Sequence, residues 1–275
     1  MKLGAFTIHP VSDGSFMLDG GQMFSVVPKA LWEKKVTPDS RNRVRLALTC
    51  LLIQTGRVNI LVETGLGDKF DAKFANIYGV DKSQTLPAEL QKLGLAPQDI
   101  DIVINTHLHF DHCGWNLRRE NGKLVPTFPR ARYFVQRGEW EDAFQPTERN
   151  RASYVEELFA GAEAQTEFMD GDAEIVPGVR VELGAGHTRC MQCVRVESEG
   201  DTAYFPSDLV PTNSHLAYPW MTSFDLYPLE TLANKKRLLP ELVEAKALMV
   251  FAHDPCVPWG RVINVDGKFD TEQVE

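Results

Sequence analysis

Residues 106–114, THLHFDHCG, gather three of the chain's seven histidines and one aspartate within six positions, as His107, His109, Asp111 and His112. They directly follow DIDIVIN, a short apolar run that reads as a buried strand. Imidazoles and a carboxylate crowded at a strand end form a donor set suited to zinc or another transition metal. Such a cluster needs partners from elsewhere in the chain. In open α/β sheets those partners come from the carboxyl ends of other strands.

Three polar residues stand at such ends. His187 closes VRVELGAGH (179–187), Asp208 closes TAYFPSD (202–208), and His253 lies in KALMVFAHD (246–254). If the strand ends converge, five histidines and two carboxylates meet. Seven ligands exceed the needs of one tetrahedral ion. Two ions with three ligands apiece and one shared carboxylate are the economical arrangement. Such a pair leaves room for a bridging water, which makes the site catalytic rather than structural.

The remaining segments suit an α/β or α+β architecture with mixed sheets. Residues 44–65 read as two apolar runs around Thr55-Gly56-Arg57, a hairpin, so the sheet is not wholly parallel. LPAELQKLG reads as a helix with Pro87 in its first turn and Gly94 at its stop. ARYFVQ (131–136) is another strand. Residues 151–164 carry Tyr154, Val155, Leu158 and Phe159 at helical spacing. A later helix presents Leu229, Leu232, Leu239, Leu242 and Val243 on one face, and Pro240 is expected to kink or divide it. No repeat or flexible linker interrupts the 275 residues, so a single domain is expected over 1–275, with 1–43 as an N-terminal extension packing near the active site.

The net charge of −9 argues against a nucleic-acid surface, and the densest basic cluster, Lys34, Lys35, Arg41, Arg43 and Arg45, reads as a solvated face. No apolar run is long enough for a membrane span or a secretory leader. Five scattered cysteines suggest reduced thiols and a cytoplasmic protein. The lone C-x-x-C of Cys190 and Cys193 reads as the start of a strand.

At these motifs the chain resembles the metallo-β-lactamase superfamily: THLHFDHCG matches its H-x-H-x-D-H signature, and GAGHT, PSD and FAHD match its later ligand positions. The resemblance implies a four-layer αβ/βα sandwich of two mixed sheets with a dinuclear site along one edge. It assigns His107, His109 and His187 to one metal, Asp111, His112 and His253 to the other, and Asp208 to the bridge. GQMFSVVPKALWEKK (21–35) and SDLVPTNSHLAYPWMTSFDLYP (207–228) look like the N-acyl-homoserine-lactone lactonases and methyl parathion hydrolases. One departure is Pro211, where such lactonases carry a tyrosine three residues after the bridging aspartate; Tyr218 and Tyr227 are the candidates to replace it.

The function expected is that of a dinuclear hydrolase in which a metal-bridging hydroxide attacks the carbonyl of a lactone or other ester. The alternative is phosphotriester or phosphodiester hydrolysis on the same site. Asp111 is the candidate for passing a proton towards the leaving alkoxide. Asp99, Asp101, Asp254 or backbone carbonyls are expected to orient the ligand imidazoles. The cofactors expected are two divalent ions, zinc by default, with manganese, iron or cobalt as alternatives. For the substrate pocket the candidates are Phe24, Trp32, Trp115, Tyr218 and Trp220, with core or interface packing as the competing role. His215 reads as an ordinary loop histidine. A small-molecule substrate is the expected partner, with neither nucleic acid nor membrane; a homodimer is left open.

Overall fold

Alternation with period two sorts the strands into an inner and an outer face. The computed structural model describes residues 1–274. Leu51 and Ile53, Ile102 and Ile104, and Val194 and Val196 share one buried cluster with Ile8, Phe134, Val181 and Phe205. Their neighbours Cys50, Leu52 and Val103 point the other way, into a second cluster with Leu86 and Leu90. Cys193, Tyr204 and Met249 turn outward to meet Leu238, Leu239 and Leu242. Two sheets therefore face each other across a common core, and each is covered outside by a helix.

The first sheet holds seven strands in the spatial order Lys2–Leu3, Phe6–Asp19, Arg43–Gln54, Asn59–Val62, Ile102–Ile104, Arg132–Gln136, Thr166–Met169. Its early strands pair antiparallel, and from Asn59–Val62 onward they run parallel. The second sheet also has seven strands: Ala173–Val176, Val179–Leu183, Gln192–Ser198, Asp201–Phe205, Leu248–Val250, Trp259–Val265 and Lys268–Glu272. Only Asp201–Phe205 and Leu248–Val250 pair parallel there. The helices Leu86–Lys92 and Pro228–Glu244 form the outer layers. This is the four-layer mixed-sheet sandwich that the resemblance implies.

Three local expectations are corrected. Residues 151–164 do not form an α-helix but two 3-10 turns, Glu156–Leu158 and Ala160–Gln165. The backbone before them is engaged elsewhere: Ser153 accepts a hydrogen bond from the Phe110 amide, and Tyr154 bridges to His109. The helix Pro228–Glu244 runs unbroken through Pro240. Pro240 lies on the exposed face, where solvent can take up the carbonyl its ring leaves without a donor. Leu229, expected on the apolar face, is 79% exposed, while Leu239 and Leu242 are buried as expected and Leu238 joins them.

Residues 1–43 contribute two strands to the first sheet, then the short helices Gly20–Phe24 and Lys29–Trp32. The long strand Phe6–Asp19 breaks register between Ser12 and Ser15, which turns Asp13 inward. Its buried carboxylate accepts from the amides of Leu66, Gly67 and Leu86, from Trp115 Nε1 at 2.8 Å and from Lys82 Nζ at 2.6 Å. Asp13 thereby seats the 64–67 loop beneath the histidine cluster.

Candidate metal centre

The four strand ends do converge. His107 follows Ile102–Ile104, His187 follows Val179–Leu183, Asp208 follows Asp201–Phe205 and His253 follows Leu248–Val250. Two glycines make the approach close enough. A Cβ on Gly114 would meet the Leu66 carbonyl carbon at 2.0 Å. Gly186, at φ +143°, lies where a Cβ would meet Thr231 at 2.3 Å. Each lets a ligand loop pack on its neighbour.

Donor atoms of His107, His109 and His187 lie within 4.8 Å of one another, and those of Asp111, His112 and His253 form a second such set. In the first, His187 Nε2 is 3.1 Å from His109 Nδ1. In the second, His253 Nε2 is 3.1 Å from His112 Nε2, and Asp111 Oδ2 is 3.7 Å from both. Asp208 stands between the sets. Its Oδ2 is 3.3 Å from His187 Nε2, and its Oδ1 is 3.1 Å from His253 Nε2 and 3.5 Å from His112 Nε2.

The surrounding contacts fix which nitrogens face inward. His187 Nδ1 lies 3.0 Å from Asp225 Oδ1, which also accepts from Thr222 Oγ1 at 2.8 Å. His253 Nδ1 donates to the Ala47 carbonyl at 2.8 Å. His107 Nδ1 lies 3.0 Å from Thr106 Oγ1. With Nδ1 protonated in each, the lone pairs of Nε2 converge on one space. His107 Nε2 and Asp208 Oδ1 are buried without a hydrogen-bond partner. Facing lone pairs and an orphaned carboxylate oxygen are what cations satisfy, so the residues fit a pair of divalent ions.

The charges of the donor set act strongly on one another. Burial works to raise the Asp208 carboxyl, but His112, His253 and His187 together hold it well below the usual carboxylate range. Burial and neighbouring imidazoles keep His107 and His109 well below the ordinary histidine value, in the neutral ligand form. Burial opposes charge on His112 too, yet Asp208 and Asp111 draw it well above.

Three carboxylates that sequence reasoning passed over hold this arrangement. Glu63 Oε1 accepts from the Thr106 hydroxyl and amide and lies 3.5 Å from His112 Nδ1. Glu63, His107 and His112 form a third donor group within 4.8 Å. Glu63 addresses the Nδ1 side of His112, away from Asp208, so it orients that imidazole. Asp225 does the same for His187. Glu139 accepts from the Leu108 amide at 3.0 Å, the Tyr154 hydroxyl at 2.9 Å and the Thr188 hydroxyl at 2.6 Å. Of the orienting residues expected, only a backbone carbonyl, that of Ala47, serves. Asp99 and Asp101 accept from the amides of Ala96 and Asn59, and Asp254 from those of Asn213, Cys256 and Val257.

A cavity of about 250 Å³ opens over the cluster, with Leu18, Met23, Leu46, Phe110 and Phe224 as its apolar wall and Gln22, Tyr78 and Arg149 as polar members. None of the five aromatic pocket candidates lines it. Phe24, Tyr218 and Trp220 line a neighbouring cavity of about 670 Å³. Trp32 is buried and stacks on Phe24 at 5.2 Å. Trp115 is tied to Asp13. Among the described residues lining the smaller cavity the phenol is Tyr78, while Tyr227 is 40% exposed elsewhere. Pro211 instead gives its carbonyl to the His253 amide at 3.0 Å. His215 is fully buried, bonded to Thr212 Oγ1 and the Met23 carbonyl.

Residues 44–253 match the family model of the Metallo-beta-lactamase superfamily. The chain is 27% identical over 229 residues to an N-acyl homoserine lactonase of Bacillus cereus, covering 78% of this chain and 83% of that protein. It is 32% identical over 183 residues to the N-acyl homoserine lactonase AttM of Rhizobium radiobacter, with 64% and 66% covered. A crystal structure of a probable metal-dependent hydrolase from Staphylococcus aureus superposes with a TM-score of 0.92 at 30% identity over all of both chains. The dizinc quorum-quenching lactonase AidC, at 20% identity, shares the fold with a TM-score of 0.83 over 100% of this chain and 96% of its own. With the fold, the converging donors and the match over most of its length, the chain is a hydrolase belonging to the metallo-beta-lactamase superfamily.

Proposed function

We propose that this chain cleaves the ester bond of a lactone or another carboxylic ester at two divalent cations, zinc by default. The observation that carries the reading is the position of Asp208, with one oxygen toward His187 and the other toward His112 and His253. The curated relatives bearing the lactonase name support the substrate class. Bound there, two cations would lower the pKa of a water between them and polarise a carbonyl oxygen.

The chain's own groups supply the rest. His107, His109 and His187 would hold one cation and Asp111, His112 and His253 the other, with Asp208 shared. Asp111 lines the cavity, which supports it as the group that would pass a proton to the departing alkoxide. Leu18, Met23, Leu46, Phe110 and Phe224 form a dry wall for an acyl group. Tyr78 lines the same cavity and is the phenol proposed for the role that Pro211 cannot fill.

The test is metal analysis combined with a substrate panel. Near two ions per chain and lactone hydrolysis that exceeds phosphotriester hydrolysis in kcat/KM are expected. No turnover of lactones or aryl esters by the metal-loaded protein would overturn the substrate class, and a preference for phosphotriesters would replace it.

A further inference from the structure

The larger cavity, about 670 Å³, lies beside the hydrolytic one and shares Met23 and Leu46 with it. Its volume is within the ~300–1,000 Å³ of small-molecule sites. Phe24, Val36, Val44, Trp220, Val257 and Phe269 give it a largely apolar lining. The wall is held from behind, since the buried Lys235 ammonium donates to the carbonyls of Ala217 at 2.7 Å and Trp220 at 2.8 Å. A concave apolar surface on a fixed backbone is preorganised for a ligand.

The charged groups at its rim are unevenly engaged. Asp254 is occupied by the three backbone amides already named, and Asp270 accepts from Asn213 Nδ2 and the Thr271 amide. Arg45 is engaged by Ser15 at 3.0 Å and Asp81 at 3.7 Å. Lys35 and Lys268 line the cavity, and neither ammonium has an ionic or hydrogen-bonded partner among the described residues. Asp254 has both oxygens occupied and Asp270 one, while the two ammoniums are left without a partner.

We propose that this cavity is a second, non-catalytic site for an amphipathic carboxylate: an acyl chain lies along the apolar wall, its head between Lys35 and Lys268. The choice of a carboxylate over another anion rests on the ester-hydrolase reading, because ester cleavage releases one.

Decanoate is the probe, titrated calorimetrically into the metal-loaded protein. Two exposed ammonium–carboxylate pairs contribute ~1–2 kcal/mol together, or about a tenfold change in affinity. Lys35→Ala with Lys268→Ala should therefore weaken decanoate about tenfold, while Lys35→Arg with Lys268→Arg keeps most of the affinity. Decanol should bind more weakly than decanoate by a similar factor. Ala217→Trp, which fills the second cavity alone, should abolish the binding that depends on Lys35 and Lys268, whereas Phe224→Ala, in the hydrolytic cavity, should leave that binding unchanged. Absence of decanoate binding, equal affinity in the alanine double variant, or loss on Phe224→Ala with retention in Ala217→Trp would each overturn the site. Ester hydrolysis by the wild-type protein would stand in all those cases, so the two readings fail separately.

Discussion

Glu139 is fully buried and touches no ligand, yet it binds the neighbours of all three histidines in the first donor set. Leu108 sits between His107 and His109, Thr188 follows His187, and the Tyr154 ring packs edge-on against His109 at 4.8 Å. Hydrogen bonds to a charged acceptor contribute ~1.5–3 kcal/mol each. Three such bonds on one carboxylate do not add fully, because they form one network. Glu139→Ala leaves three buried donors unpaired and a cavity, so a loss of ~3–5 kcal/mol is expected. Glu139→Gln keeps an acceptor for Leu108 and Tyr154, and the Thr188 hydroxyl can turn to accept from the new amide. Its loss should be ~1–2 kcal/mol. Urea unfolding of metal-stripped protein measures both. Chelator competition on metal-loaded Glu139→Gln should show one of two ions bound ~10–100-fold more weakly and the other unchanged. Unaltered unfolding midpoints for both variants, or equal weakening of both ions, would refute the assignment.

Burial lowers His215 from its ordinary 6.5 to about 4. The unfolded chain therefore takes up a proton between those pH values that the folded chain refuses, and stability falls as pH drops through that window. At ~1.4 kcal/mol per pH unit the full effect is ~3 kcal/mol, so the stability advantage of wild type over His215→Gln should shrink by that amount from pH 6.5 to 4 in chemical unfolding. Asp225→Ala releases Nδ1 of His187 and should weaken one ion ~10–100-fold, read by chelator competition, and should cost the stripped protein ~1–3 kcal/mol in unfolding because the Thr222 hydroxyl and His187 Nδ1 lose their acceptor. Gly114→Ala forces the 64–67 loop from the histidine cluster and should cost more than ~3 kcal/mol in thermal unfolding, whereas Gly94→Ala, whose Cβ meets nothing within 4 Å, should cost only the ~1 kcal/mol of an alanine at φ +78°.

The donor set was legible because its chemistry is carried by residue type and by position at strand ends. Apolar runs such as DIVINT and KALMVFAH announce both the strand and the point where it stops. The orienting carboxylates were not legible. Glu63, Glu139 and Asp225 sit in VETG, GEWED and SFDLY, where nothing local separates a buried acid from a solvated one. Their partners lie 43, 49 and 38 residues away in sequence. The same holds for the pocket. Phe24, Trp32, Tyr218 and Trp220 carry the composition of a binding wall, but which cavity they face depends on how the segment after Asp19 folds back on the loop after Asp208. The helical pattern of 151–164 misleads because tertiary bonds to Phe110 and His109 claim its backbone.

Asp208 is proposed to join the two cation sites. Metal content of Asp208→Ala, purified under conditions that give near two ions per wild-type chain, tests it most directly. A fall to one ion or fewer, with hydrolysis reduced by at least ~100-fold, is the predicted result. Two ions retained with hydrolysis unchanged would contradict the account.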